Sequence, residues 1–315
     1  MDLSIISSKI CLDYKLGKFK SNKVITVGYE DFTYILKTDS NTYCVKIFNK
    51  DRTDEECENY IKRIEISNDL KINSPQLYKY NGKSLYKLTI ENICFRLCVF
   101  EYIEGKSIFD LKIIPSKTEI KEIVRQISII HELDMKLEPV YDSWTITNYK
   151  KEYESKKSFI SEKDKVTLED LYNKFDSIDF KKLTFTFIHG DITSPNLIID
   201  KNNKIWIIDW AVSNYLPRII DLAVSTCNIC YDQNSKENTI KNIKFFLDEY
   251  QKYNKLTEYE ISIFPLFFDL TNAIGILQTS YEIQMNNDSK ENEIWLAESR
   301  KGLEFSTKDF WKQIF

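Results

Sequence analysis

The sequence predicts an α+β protein of two lobes: an N-terminal antiparallel sheet lobe with one helix, and a larger, mainly helical C-terminal lobe. The length of 315 residues exceeds the usual size of one compact domain. Residues with β-branched and aromatic side chains are concentrated before residue 105, and apolar residues at helical spacing follow residue 118. We therefore expect a first lobe over residues 1–102 and a second lobe over residues 103–315.

The charge balance argues against a nucleic-acid partner and against binding to an anionic membrane. The chain has 44 basic and 48 acidic residues, and its net charge of −4 is too small for a strong field. The first fifteen residues lack the apolar run of a signal peptide, and we expect no later segment of bilayer-spanning length. These features predict a cytoplasmic protein.

Seven cysteines are scattered along the chain. An odd number without a secretory signal argues against a disulfide framework, so we expect free thiols. Cys227 and Cys230 form a C-x-x-C pair, but no second pair at zinc spacing accompanies it and the chain has only two histidines. We interpret this pair as structural.

A hairpin and a helix are predicted in the first lobe. Residues 24–48 contain two runs of β-branched and aromatic side chains separated by the turn-prone Thr-Asp-Ser-Asn sequence. The segment 54–70 has apolar residues near one helical face, and Thr53 or Asp54 can cap its start. Another pair of strands is expected within residues 84–102.

Helical spacing dominates the second lobe. Apolar residues recur every three or four positions from Ile120 to Ile130, which predicts an amphipathic helix. The other elements expected here are helices over residues 148–176, 236–251, 257–286 and 291–313, and short strands over residues 184–188, 197–199 and 205–208.

The segment from Ile188 to Ile220 is the most informative part of the sequence. It contains I-H-G-D-I-T-S-P-N-L-I-I-D and then I-W-I-I-D-W, so Asn196 follows Asp191 by five residues and Asp209 follows Asn196 by thirteen. Phosphoryl transfer uses an Asp that takes the proton of the acceptor hydroxyl, an Asn that holds magnesium, and a further Asp that bridges the metal to the phosphates of the nucleotide. The spacing therefore indicates a phosphoryl-transfer site.

These motifs resemble those of the aminoglycoside phosphotransferase and choline kinase superfamily. The resemblance rests on H-G-D-x-x-x-x-N, I-D-W and D-L-A in this order, and it extends from Val24 to Ala223. It implies a two-lobed protein-kinase-like fold, with nucleotide bound by the first lobe and the catalytic loop and substrate site in the second. The implied activity is transfer of the γ-phosphate of ATP to a hydroxyl of a small molecule, one that contains an amine, with Mg²⁺ as cofactor. The sequence carries no indication of oligomeric state.

The resemblance assigns roles to residues of the second lobe. Asp191 corresponds to the catalytic base, and Asn196 and Asp209 correspond to the magnesium ligands. His189 corresponds to a structural residue beneath the catalytic loop. Asp221 matches the aspartate that begins a helix and steadies this loop, although an ordinary helix cap would have the same sequence.

In the first lobe, Lys46 resembles the strand lysine that contacts the α and β phosphates. Its partner should be a glutamate of the following helix, and we predict Glu58. Glu56 and Glu65 remain alternatives, because the spacing does not settle the helical register.

The phosphate-covering loop corresponds to Gly28, Tyr29, Glu30 and Asp31, whose backbone N–H groups would approach the phosphates. It has one glycine and no G-x-G-x-x-G, and an Asp-Phe-Gly motif is absent from the chain. Both departures argue against a protein kinase and favour a small-molecule kinase.

The hinge between the lobes corresponds to Glu101, Tyr102 and Ile103, whose backbone groups would read the edge of the purine. ATP is the expected nucleotide, and GTP is not excluded.

The acceptor is expected in the helical lobe, where carboxylates and aromatic rings can hold a cationic amine. The alternative to an active kinase is a non-catalytic nucleotide-binding protein of the same fold. Candidate acceptor residues are Asp232, Asp269, Glu282, Tyr231, Phe268, Tyr281 and Trp295.

Overall fold

A computed structural model describes residues 3–25, 31–285 and 290–315. The chain divides into two compact units, Met1–Lys106 with Ile198–Ala211, and Ser107–Leu197 with Val212–Phe315. The predicted division after residue 102 differs from this in two respects, since it assigned residues 103–106 and the segment Ile198–Ala211 to the second lobe. Burial explains the second difference: Trp210 is 1% exposed and donates a hydrogen bond from its indole Nε1 to Ser74 Oγ at 3.1 Å.

The first unit is built on a six-stranded antiparallel sheet. The elements up to the unit boundary are α1 (Leu3–Asp13), β1 (Phe19–Ile25), β2 (Phe32–Thr38), β3 (Thr42–Ile47), α2 (Asp54–Asp69), β4 (Leu77–Tyr78), β5 (Tyr86–Ile90), β6 (Ile93–Glu101) and β7 (Gly105–Ser107). The strand order in the sheet is β1-β2-β3-β6-β4, with β5 paired to β6. The predicted hairpin is present as β2 and β3, and the predicted strand pair as β5 and β6.

Two helices pack on this sheet. Ile6 and Ile10 of α1, a helix that we did not predict, join Val45 and Leu97 in the core of the unit. The helix α2 is confirmed, and its N-terminus forms a capping box in which Thr53 and Glu56 satisfy each other's backbone N–H groups. The buried face of α2 includes Cys57, Tyr60, Ile61 and Ile64.

The second unit is mainly helical, as predicted. The predicted helix over 148–176 is two helices, because Ser161 caps a new helix by accepting a hydrogen bond from the backbone N–H of Asp164. The elements of this unit are α3 (Ile108–Leu111), α4 (Lys117–Ile130), α5 (Tyr149–Lys156), α6 (Glu162–Phe175), β8 (Phe185–Ile188), β11 (Asn214–Pro217), α7 (Ile219–Ile229), α8 (Lys236–Tyr250), α9 (Glu258–Gln284), α10 (Lys290–Phe305) and α11 (Lys308–Trp311). The strands β9 (Leu197–Asp200), apart from its first residue, and β10 (Ile205–Ile207) belong to the segment of the first unit that follows β8 in the chain.

Short strands frame the segment that carries the motifs. The strand β8 pairs with β11 in an antiparallel ladder, and β9 lies between β10 and β7 in a three-stranded sheet. The loop from His189 to Asn196 therefore begins at the end of one small sheet and ends at the start of another.

The longest helix, α9, has 27 residues and is apolar and long enough to cross a membrane by length and composition. Our expectation that no segment reaches this length was wrong. In this protein 61% of its most apolar window is buried, and α9 packs against α5, α6, α7 and α10. The helix thus forms the centre of the second unit.

Candidate active site

The loop that follows β8 has a backbone shape that requires glycine at one position. Gly190 has φ +88°, and a Cβ at this residue would lie 3.1 Å from the carbonyl oxygen of Val212. A side chain here would combine an unfavourable backbone angle with a close contact. The glycine of the His-Gly-Asp motif is therefore explained by the turn that directs the chain from β8 into the loop.

Side chains of the loop hold the carboxylate of Asp191. The Nδ2 group of Asn196 donates to Asp191 Oδ2 at 2.7 Å and to the Asp191 carbonyl at 3.0 Å. Thr193 Oγ1 donates to Asp191 Oδ1 at 3.1 Å. Since Asn196 uses its amide nitrogen in these bonds, its side-chain oxygen remains available to a cation.

A residue that the sequence did not reveal supports the same loop. The side-chain oxygen of Asn228, near the end of α7, accepts a hydrogen bond from the backbone N–H of Ser194 at 2.6 Å. Asn228 is 34 residues from Ser194 in the chain, and no motif marks it.

Asp221 lies in the first turn of α7 and is fully buried beneath the loop. Its carboxylate accepts hydrogen bonds from the backbone N–H groups of His189 at 2.9 Å and Gly190 at 2.7 Å. Burial favours a raised pKa for Asp221, but its bond to His131 and the Gly190 N–H outweigh burial and hold this pKa below its ordinary value. Asp221 therefore remains a carboxylate that fastens the loop.

Lys46 lies on β3, on the partly exposed face of that strand. Its Nζ is 4.0 Å from Asp209 Oδ1 and 4.5 Å from the centre of the Tyr60 ring. Burial favours a lowered pKa for the lysine, but the charge of Asp209 and the contact with Tyr60 outweigh it, and the pKa of Lys46 is raised. A lysine that stays charged in this setting is suited to binding phosphate.

The structure places Tyr60, and not Glu58, at Lys46. Glu58 is exposed, and its charge acts on Lys87. Positions 58 and 60 differ by about 200° around a helix, so the inward face of α2 that carries Tyr60 turns Glu58 outward. The two alternatives are also engaged elsewhere, Glu56 in the capping box of α2 and Glu65 with Lys79.

Asp209 follows β10 and has φ +63°, in the left-handed region. Its side chain is 46% exposed, and its Oδ1 also accepts from the backbone N–H of Ala211 at 3.3 Å. Aspartate adopts this region more readily than most residues because its short polar side chain can bond locally.

The predicted phosphate-covering loop is described only at its end. Gly28, Tyr29 and Glu30 lie outside the described residues. Asp31 accepts hydrogen bonds from Arg52 Nε and from the backbone N–H of Asn49, both at 3.0 Å. Its carboxylate thus fastens the connection between β3 and α2.

The predicted hinge residues lie at the end of β6. Glu101 is paired across the sheet, with its backbone N–H donating to the Gln76 carbonyl at 2.9 Å. Ile103 is 8% exposed, and its backbone groups make no hydrogen bond to another described residue. Buried backbone groups of this kind are suited to pairing with a purine.

Most acceptor candidates are engaged within the protein. Asp232 accepts from Asn234 and Asn238, Phe268 packs in the core against Trp311, and Lys156 lies over the ring of Tyr281. Tyr231 packs against Phe305, and Glu282 also has an interaction partner.

Asp269 on α9 differs from these candidates. Its Oδ1 is buried and has no hydrogen-bond partner among the described residues, while its carboxyl group bonds to Ser306. Burial raises the pKa of Asp269 to about 7. Glu298 on α10, which the sequence did not single out, has its pKa raised by burial to about 7 as well.

The charges of both acids are felt near the end of α7. Burial, and after it the charge of Asp269, raises the pKa of the Cys227 thiol, which neighbours the loop-binding Asn228. Burial, and after it the charge of Glu298, raises the pKa of Tyr231, just beyond the end of α7. A separate aromatic contact leads to the loop: Trp295 on α10 stacks on Phe109 at 5.4 Å, and Phe109 belongs to α3, which packs against the loop residues Ser194–Asn196.

Known proteins of similar structure are kinases of small molecules. The structure aligns with choline kinase LicA from Streptococcus pneumoniae at a TM-score of 0.65 and 19% identity, covering 96% of this chain and 98% of that one. It aligns with amicoumacin kinase hAmiN, in complex with AMP-PNP, Ca²⁺ and Ami, at a TM-score of 0.67 and 16% identity, covering 97% and 93%. The spectinomycin phosphotransferase APH(9)-Ia, in complex with ADP and its antibiotic, gives a TM-score of 0.60 at 15% identity, covering 99% and 97%.

These similarities establish the protein-kinase-like fold that the motifs implied. No curated protein sequence matches the chain significantly. The sequence pattern described as "Phosphotransferase enzyme family" matches residues 21–255, which is well over half of the chain. The chain therefore belongs to the phosphotransferase enzyme family.

Proposed function

We propose that this protein transfers the γ-phosphate of ATP to a hydroxyl group of a small molecule that also carries a cationic amine. The observation that carries the proposal is the fixed carboxylate of Asp191, which Asn196 and Thr193 hold on a loop fastened by Asp221. A general base must be oriented before it can accept a proton from an attacking hydroxyl. In this proposal Asp191 accepts that proton as the phosphoryl group arrives.

The first unit supplies the groups for the nucleotide in this proposal. Lys46 binds phosphate oxygens as a charged donor, and the backbone of Ile103 pairs with the purine, a role that suits ATP and does not exclude GTP. Mg²⁺ would be held by Asp209 and Asn196, whose carboxylate and amide oxygens are the hard ligands this ion prefers. The ion would offset negative charge on the phosphates.

The proposed ligands, one carboxylate and one amide, suit a Mg²⁺ ion that also binds phosphates and water better than a metal ion whose ligands all come from the protein. The described residues contain no group of three or more His, Cys, Asp or Glu side chains that could hold a metal ion. Mg²⁺ is commonly bound by one or two carboxylates together with substrate phosphates and water. An activity that requires both nucleotide and Mg²⁺ is therefore expected.

Asp269 and Glu298 support the proposal that the acceptor carries an amine. Removing a carboxylate from water is costly unless a cation or donors compensate it, and the raised pKa of each group is the sign of that cost. A bound ammonium group would provide the missing charge. Choline, the substrate named for one protein of similar fold, is an alcohol with a cationic nitrogen.

The test is ADP release by the purified protein in the presence of Mg²⁺ and ATP, across choline, ethanolamine, homoserine, amino sugars and aminoglycosides. We expect stimulation by one class of amino alcohols, and a loss of about two to four orders of magnitude in kcat for Asp191→Ala. Asp176→Ala is the matched control, because Asp176 is an exposed aspartate of the same unit and its loss should leave the rate unchanged.

Two results would contradict the proposal. If Asp191→Ala retained most of the activity, Asp191 would not be the base. If ATP bound but no acceptor stimulated ADP release, the non-catalytic alternative would be favoured.

A further inference from the structure

Behind the catalytic loop, buried polar side chains form a chain of hydrogen bonds. Its members, none more than 4% exposed, are Asp221, His131 and Tyr250. We infer that these residues position the loop that carries Asp191, and that the neutral imidazole of His131 carries its proton on Nε2. The catalytic role of the loop rests on the proposed function, whereas the hydrogen bonds and the tautomer do not.

The end of the chain nearest the loop fixes one nitrogen of His131. Its Nε2 lies 3.0 Å from Asp221 Oδ2, and the same carboxylate accepts the backbone N–H groups of His189 and Gly190. An ionised carboxylate can only accept hydrogen bonds, so Nε2 must carry a proton and donate it.

The other nitrogen of His131 faces Tyr250. Its Nδ1 lies 2.8 Å from the Tyr250 hydroxyl oxygen. A neutral imidazole has one N–H, so a proton on Nε2 leaves Nδ1 as an acceptor and the Tyr250 O–H as its donor.

His189 resembles His131 in accepting a hydrogen bond at its Nδ1. The backbone N–H of Asp191 donates to His189 Nδ1 at 3.1 Å, so this nitrogen is also an acceptor. The two histidines of the chain thus face their donors with the same nitrogen. One donor comes from Tyr250 and the other from the backbone of the proposed base itself.

The hydrogen bonds run in one direction, since each link has its donor on one side and its acceptor on the other. They join the end of α8, the end of α4 and the start of α7 to the backbone of the loop. Every polar group in such a buried network needs its partner, so removing one donor should disturb the members that follow it.

The first experiment measures the tautomers directly. Full-length protein labelled with ¹⁵N only in histidine gives two imidazole signals, and His131→Gln assigns them. At pH 8 we expect both imidazoles to show a protonated Nε2 and an unprotonated Nδ1. A proton on Nδ1 of His131 would overturn the inference, whatever the activity of the protein.

The second experiment separates positioning from ordinary packing. Tyr250→Phe removes the donor to His131, and Tyr149→Phe is the matched control, because Tyr149 is equally buried and donates to the Leu168 carbonyl at 2.7 Å outside the chain. We expect Tyr250→Phe to lower kcat about tenfold, with KM for ATP changed less than about twofold, and to shift the ¹⁵N signal of His131 Nδ1, which loses its donor. We expect Tyr149→Phe to lower the melting temperature comparably and to leave kcat and the spectrum unchanged.

Equal effects of the two substitutions on kcat would show that Tyr250 does not position the loop. A wild-type protein without phosphotransferase activity would instead contradict the proposed function, and the tautomers of the two histidines would still decide the direction of the hydrogen-bond chain.

Discussion

Asp221 and Asp269 of the second unit both have buried carboxyl oxygens, although Asp269 as a whole is only half-buried, yet their pKa values shift in opposite directions. Burial favours the protonated form of each. Asp221 receives two backbone N–H groups and an imidazole N–H, and its pKa is lowered. Asp269 bonds to Ser306 but leaves one oxygen without a partner, and its pKa rises to about 7.

The difference shows how burial should be interpreted. The fold satisfies the carboxylate of Asp221 completely, so this residue belongs to the framework of the loop. The fold leaves Asp269 incompletely satisfied, which costs stability and is expected where a ligand completes the site. In the sequence both are single aspartates within apolar helices, and only their partners distinguish them.

The largest expected effect comes from Asp221→Asn. An amide would replace one of the two acceptor oxygens by an NH₂ group, which would face a donor and leave buried polar groups unpaired, so the free energy of unfolding should fall by about 3 kcal/mol. Urea unfolding followed by circular dichroism measures this change. A loss smaller than about 1 kcal/mol would contradict the framework role of Asp221.

Asp269→Asn should act mainly on the acceptor. We expect KM for the amine acceptor to rise about ten- to a hundredfold, because a charged partner of the ammonium is lost. KM for ATP should stay unchanged, since the nucleotide groups lie in the other unit. Steady-state kinetics with each substrate varied in turn would test this, and an equal rise of both KM values would argue against a separate amine site.

Asp269→Asn should also change how the stability of the protein depends on pH. The pKa of Asp269 is raised from 3.8 to about 7 in the folded protein, so its protonated form contributes stability below about pH 4 and this contribution is lost as the pH rises through about 7. Asparagine removes this titration. The melting temperature of Asp269→Asn relative to the wild type should therefore increase between pH 5 and pH 8, and a constant difference would show that Asp269 is not protonated in the free protein.

Trp295→Leu should have the smallest effect. If its ring contacts the ammonium group, its loss should raise KM for the acceptor about two- to fivefold, the size expected for one cation–π contact. Trp206→Leu serves as the control, because Trp206 lies on β10 of the first unit and bonds to Asp200. Similar kinetics for both variants would remove Trp295 from the acceptor site.

The elements with strong local signals were predictable from the sequence. The helix predicted over residues 257–286 is α9, Glu258–Gln284, because a Thr257 cap and a long apolar run define it locally. The strands flanking the His-Gly-Asp motif were also predicted from a local signal, their short runs of β-branched and aromatic residues. The helix α1 was missed even though Ile6 and Ile10 have helical spacing, since its composition is also compatible with a loop or a strand.

Parts of the site that depend on contacts between distant segments were not predictable. Tyr60 lies at Lys46 because of the rotation of α2, which spacing alone does not give. Glu298 and Asn228 depend on how α10 and α7 pack, and no motif identifies either residue. The predicted positions of Asp191 and Asn196 rest on one continuous loop, and there the structure shows the hydrogen bonds that link them.

The segment Ile198–Ala211 has a consequence for synthesis of the protein. The first unit contains this segment as well as residues up to Lys106, so its chain is discontinuous. On the ribosome, the amino-terminal sheet emerges long before Trp210 and Ile207, which are buried in the unit and hydrogen-bond to Ser74 and Asn73. This unit therefore cannot finish folding until about two thirds of the protein has been translated, and a fragment ending at the first unit boundary would expose apolar surface to the chaperones that bind nascent chains.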